Sequence, residues 1–153
     1  MDQNNPVGLT NGIEFIEFCG PDHGKLEMMC KSFGLVPIAK HKNFELQLFR
    51  QNDINFLIND TVDSFQGSFK KLHGPSVCAT GFRVKDAKFA FEEAVRRGAR
   101  PFTGDKKAKG GWDLPAIYGI GDSLIFFVDK NIYDGEFNYT TADIYPKGLR
   151  MSG

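Results

Sequence analysis

Apolar and aromatic residues crowd residues 13–19 (IEFIEFC), bounded by Gly12 and Gly20-Pro21, and this run predicts a strand. Asp22 then stands where a helix N-cap belongs. Leu26, Met29, Cys30 and Phe33 recur at helical spacing up to Gly34, a residue type favoured just past a helix end. A further strand is expected at Val36–His41. In residues 44–50 (FELQLFR), Phe44, Leu46 and Leu48 alternate with Glu45 and Gln47, and a turn at Gln51-Asn52-Asp53 leads into residues 54–58 (INFLI). Two alternating runs around a short polar turn predict a hairpin. Residues 59–72 are polar and mixed, with Val62, Phe65, Phe69 and Leu72 at helical spacing, so a connecting helix is expected there.

The pattern then restarts. Ser76–Val84 (SVCATGFRV) predicts a strand, and Asp86 caps a helix running to Arg97. Phe89, Ala90, Ala94 and Val95 are its apolar positions, and Gly98 ends it. Pro101-Phe102 opens another strand, and residues 114–118 and Leu124–Val128 (LIFFV) predict a last hairpin. Phe82, Asp86, Gly98 and Pro101 each stand 64 positions after Phe18, Asp22, Gly34 and Pro37. Strand end, helix cap, helix stop and next strand start thus recur without a gap. The pattern predicts an α+β fold of two β-α-β-β-β units, at about 8–60 and 73–130, forming one curved mixed sheet with helices on its outer face.

Composition narrows the function classes. Lys+Arg and Asp+Glu balance at 19 each, so charge recommends neither nucleic acid nor an anionic membrane as partner. Fifteen Phe stand against one Trp, large apolar area with no polar group to satisfy. The three cysteines, Cys19, Cys30 and Cys78, are odd in number and widely spaced, which argues against a disulfide framework and for a reducing compartment. The first residues, MDQNNPVGLTNG, lack a signal-peptide pattern, and the apolar runs are too short to span a bilayer. A cytoplasmic location is expected.

Candidate chemistry is sparse. Glu14 and Glu17 lie three apart on a strand and are expected on opposite faces, which prevents a general acid/base pair. Cys78 sits in a central strand with no base beside it in sequence and reads as a buried thiol. The basic segment 104–111 (GDKKAKGG) lacks the GK[ST] ending of a phosphate loop and reads as solvated. Arg96-Arg97 at a helix end suits the helix dipole. His23 is placed in a helix's first turn, His41 at a strand end within KHKN, and His73 in the loop before Gly74-Pro75. None is paired with another at chelating spacing.

The strings NPVGLTNGIEFIEF, FRQNDINFLIN, HGPSVCATGFRVKDA and LPAIYGIGDSLIFFVD resemble, in this order, the amino-terminal domain of the 4-hydroxyphenylpyruvate dioxygenases. Those enzymes belong to the vicinal oxygen chelate (glyoxalase/bleomycin-resistance/dioxygenase) superfamily, and the likeness runs from about Pro6 to Phe137. It implies a two-domain enzyme of tyrosine catabolism that turns 4-hydroxyphenylpyruvate and dioxygen into homogentisate and carbon dioxide. It places the Fe(II), held by two His and one Glu, in a carboxy-terminal domain. The catalytic partner would then be that domain, in a homo-oligomer. Residues 1–138 would form the duplicated domain and 139–153 the interdomain connection.

The resemblance also locates where metal ligands sit in metal-binding members of the fold: on the first and last strands of each unit. Here those positions fall on Phe15 and Ala79, with Asn55 and Ser123 nearest on the last strands. None is a strong Fe(II) ligand. The expectation is a chain with no catalytic, cofactor-binding or metal residues of its own, inactive alone, its Phe-rich strands lining a collapsed apolar cup. A free-standing small-ligand-binding protein of the same superfamily, acting as a dimer, is the alternative.

Overall fold

The computed structural model describes residues 2–20, 23–41, 45–104, 114–129 and 149–151. Along the chain lie β1 (Leu9–Cys19), α1 (His23–Ser32), β2 (Val36–His41), β3 (Leu46–Gln51) and β4 (Ile54–Asn59). Then follow α2 (Phe65–His73), β5 (Ser76–Val84), α3 (Ala87–Arg96), β6 (Ala116–Tyr118), β7 (Leu124–Val128) and β8 (Leu149–Met151). The strands form one mixed sheet in the order β6-β7-β5-β1-β4-β3-β2-β8.

The duplication governs the topology. In each half the first strand pairs in parallel with the last, β1 with β4 and β5 with β7. The halves join through the antiparallel β1–β5 pair at the centre. The helices α1 and α3 are each ten residues long. Gly34 and Gly98, past their ends, hold φ of 84° and 104°, a conformation that favours glycine. Asp86 caps α3 as expected, accepting from the Phe89 amide at 2.8 Å; Asp22 lies outside the described residues. The predicted hairpin is also present, with β3 and β4 in register from Leu46↔Asn59 to Gln51↔Ile54.

Three local expectations change. The strand opened by Pro101 shrinks to a single bridge with Ile117, because proline offers no N–H and its partner β6 has three residues. The helix α2 begins at Phe65, so Val62 precedes it. Val62 and Leu72 are exposed, and the buried side of α2 is Gln66, Gly67 and Phe69. In α3 the buried positions are Ala87, Ala90, Glu93 and Ala94, which leaves Phe89 exposed. Within the expected interdomain connection, Leu149–Met151 pairs with β2 at the sheet edge, and 139–148 lies outside the described residues.

The unit helices cover the outer face. Cys30 and Leu35 pack on Phe49 and Ile58, and the α3 alanines pack on Val84 and Phe127. The inner face gathers Phe15, Leu46, Leu48, Leu57, Leu124 and Phe126 into the central core, where each such side chain contributes about 1.5–3 kcal/mol by burial. The connecting helix α2 adds Phe65 to this inner cluster.

Candidate functional site

Of the positions expected to carry metal ligands, Phe15 and Ala79 meet on the inner face, Asn55 is buried and Ser123 is half-buried. Phe15 and Ala79 are both buried in the central cluster. The Phe15 ring lies over Gly81, where an added Cβ would meet its Cε1 at 2.5 Å. Its other neighbour is Phe126, with ring centroids 5.9 Å apart. Asn55 accepts from Arg50 Nε at 2.8 Å and donates to the Glu14 carbonyl at 2.9 Å. Ser123 lies just before β7, where its Oγ donates to the Ile120 carbonyl.

The two glutamates do not lie on opposite faces. Ile13 pairs with Phe82 and Phe15 with Gly81, so Glu14 is an extra residue in β1 and the alternation slips by one. Glu14 Oε2 accepts from Arg83 Nε at 2.6 Å, and Arg83 shares the inner face with Ala79 and Gly81. Glu17 Oε1 accepts from Asn59 Nδ2 at 2.8 Å, and Asn59 shares the face of Leu57. Glu14, Glu17, Asn55, Asn59 and Arg83 are all buried, so the cup is not purely apolar. The strand INFLIN carried the available signal, since Asn55 and Asn59 flank the core residue Leu57 at period two.

Each carboxylate is tied to a guanidinium or an amide, which links neighbouring strands. A non-haem Fe(II) site needs two imidazoles and a carboxylate with open positions. Among the described residues no three His, Cys, Asp or Glu side chains are grouped to hold a metal. A ring, a methyl group and engaged carboxylates do not fit Fe(II). His73 closes α2 rather than lying in a loop, its ring 4.3 Å from that of Phe69; the side chains of His23 and His41 lie outside the described residues, as does 105–113 of the basic segment.

Two features escaped the sequence reading. Arg96 and Arg97 both donate to Glu93, at 2.6–2.7 Å, and hold its carboxyl down at about 2. Cys78 is buried as expected and burial pushes its thiol up, and Cys19 packs with it in one small cluster under Phe69. That contact holds Cys19 down at about 7.

Comparison with known proteins decides the family. Residues 3–144 match the family described as "Hydroxyphenylpyruvate dioxygenase, HPPD, N-terminal". The chain belongs to this family. "Protein MelA" of Shewanella colwelliana is 46% identical to this chain over 142 residues, 88% of this chain and 39% of that protein. The 4-hydroxyphenylpyruvate dioxygenase of Legionella pneumophila (strain Corby) is 41% identical over 94% of this chain and 41% of its own length. The structure of a xylose isomerase-like TIM barrel/4-hydroxyphenylpyruvate dioxygenase fusion protein overlays with a TM-score of 0.75 and 29% identity, covering 97% of this chain and 23% of the fusion. The chain thus spans about two fifths of the length of the curated relatives it matches.

Proposed function

We propose that this chain is the non-catalytic amino-terminal domain of a two-domain 4-hydroxyphenylpyruvate dioxygenase, whose Fe(II) and substrate sit in a carboxy-terminal domain. The observation that carries the reading is the match itself: a dioxygenase relative aligns with nearly all of this chain over only 41% of its own length. The packed inner face supports it, since a Phe15 ring over Gly81 leaves neither ligands nor room where metal-binding members of the fold place their site. The domain's task is then structural: it covers the catalytic half and extends its interface within a cytoplasmic homo-oligomer. Three free cysteines suit that compartment. Among the described residues no helix is long and apolar enough to cross a membrane.

The test is to purify the chain with Fe(II), 4-hydroxyphenylpyruvate and dioxygen and follow homogentisate. No product and no stoichiometric iron are expected from the chain alone. Turnover, or tight one-to-one iron binding, would overturn the proposal.

A further inference from the structure

The seam between the two units brings two thiols together. Glu17 pairs with Ala79 and Phe18 with Val77, so Cys78 is the extra residue of a bulge in β5, beside the end of β1. There Cys19 pairs with Ser76. Cys19 Sγ donates to the Ser76 carbonyl at 3.6 Å, Cys78 Sγ donates to the Glu17 carbonyl at 3.5 Å, and the two side chains share one small buried cluster. Phe69 of α2 covers both, and both are fully buried. Cys30 packs separately, under α1 with Leu35, Phe49 and Ile58.

We propose that Cys19 and Cys78 are an oxidisable dithiol, which a peroxide converts into a disulfide joining β1 to β5 across the seam. Cys19 lies opposite Ser76, so Cys78 is its diagonal neighbour across the seam. Such neighbours stand about 7–8 Å apart, just beyond the Cα separations of about 4.4–6.8 Å that a disulfide usually spans, and closing the bond draws the two strands together at the bulge. The thiolate is the reactive form, and the neighbouring thiol and Ser76 favour it at Cys19. Its sulfur attacks one peroxide oxygen, the O–O bond breaks, and hydroxide leaves, giving a sulfenic acid on Cys19. The Cys78 sulfur then attacks that sulfur, the S–O bond breaks, and water departs carrying the Cys78 proton. The peroxide is reduced by two electrons and the thiol pair is oxidised by two. Access comes through α2, whose nine residues bury only Gln66, Gly67 and Phe69 and whose Lys70 is pinned to Asp60. So short a cover opens locally at less cost than the whole fold.

The full chain is treated with hydrogen peroxide under native conditions, quenched, and its remaining thiols alkylated in denaturant. The expected result is a fall from three alkylatable thiols to one, Cys30, with a peptide carrying Cys19 linked to a peptide carrying Cys78. Peroxide added to the denatured chain is the reference, in which links are expected to spread over all three cysteines. The native pairing should persist in Cys30→Ser and vanish in Cys78→Ser, which is expected to stop at an oxidised Cys19. Links through Cys30, links between chains, oxidised Cys19 with Cys78 still free in the unsubstituted chain, or three unreacted thiols would each overturn the proposal. Mapping the unsubstituted chain decides the matter without relying on any variant folding.

Discussion

Arg83 Nε donates to Glu14 Oε2 at 2.6 Å across the central strand pair, with side-chain exposures of 6% and 0%. Removing one member of a buried pair leaves the other charge uncompensated, at a cost of about 3–5 kcal/mol. Glu14→Gln is therefore expected to lower the urea midpoint sharply. The double change Glu14→Leu, Arg83→Met should recover most of the loss, because apolar residues of similar volume replace such pairs at little net cost. A double variant as weak as the single one would show that the pair does not set the stability.

Gly81 faces the Phe15 ring at a distance that admits no side chain. Gly81→Ala is expected to cost about 1–3 kcal/mol by overpacking. Combining it with Phe15→Leu should return part of that loss, a coupling that thermal unfolding of the two single variants and the double variant would measure.

Gly67 is constrained by backbone instead. A Cβ there would sit 2.0 Å from the Val62 carbonyl oxygen, so Gly67→Ala must shift the start of α2. Amide exchange in α2 is expected to quicken selectively, with native alkylation of Cys19 and Cys78 rising alongside it. Unchanged thiol reactivity would show that α2 is not their cover.

Glu93 gives a pH signature. Its folded value of about 2 lies below the ordinary 4.5, so its pairing with Arg96 and Arg97 stabilises the fold above the ordinary value and is lost as pH falls toward 2. Glu93→Gln should therefore be less stable than the parent chain at neutral pH. The two melting curves are expected to converge between pH 4.5 and 2.

Local signals were the legible ones. Asp86, Gly34, Gly98 and the Asn52-Asp53 turn act on neighbours only a few residues away, so the helices and the β3–β4 hairpin could be read from spacing. The family resemblance pointed to Phe15 and Ala79, which meet in the central cluster. Register was not legible. The extra residues Glu14 and Cys78 shift side chains between faces without altering the apolar pattern, and they hid the Glu14–Arg83 pair and the Cys19–Cys78 contact. The pairing of β8 with β2 joins residues more than a hundred positions apart, beyond any local signal.

The seam also bears on synthesis. As the chain leaves the ribosome, β2, β3 and β4 are available before β5, yet the free edge of β1 finds its partner only once Val84 has emerged. Until then the first unit presents a row of unpaired amides and carbonyls along an eleven-residue strand, the template on which chains aggregate. A chain halted after His73 is accordingly expected to self-associate, and sedimentation of that truncation beside the full chain would measure it. Duplication thus makes the second unit the cover for an edge that the first cannot close alone.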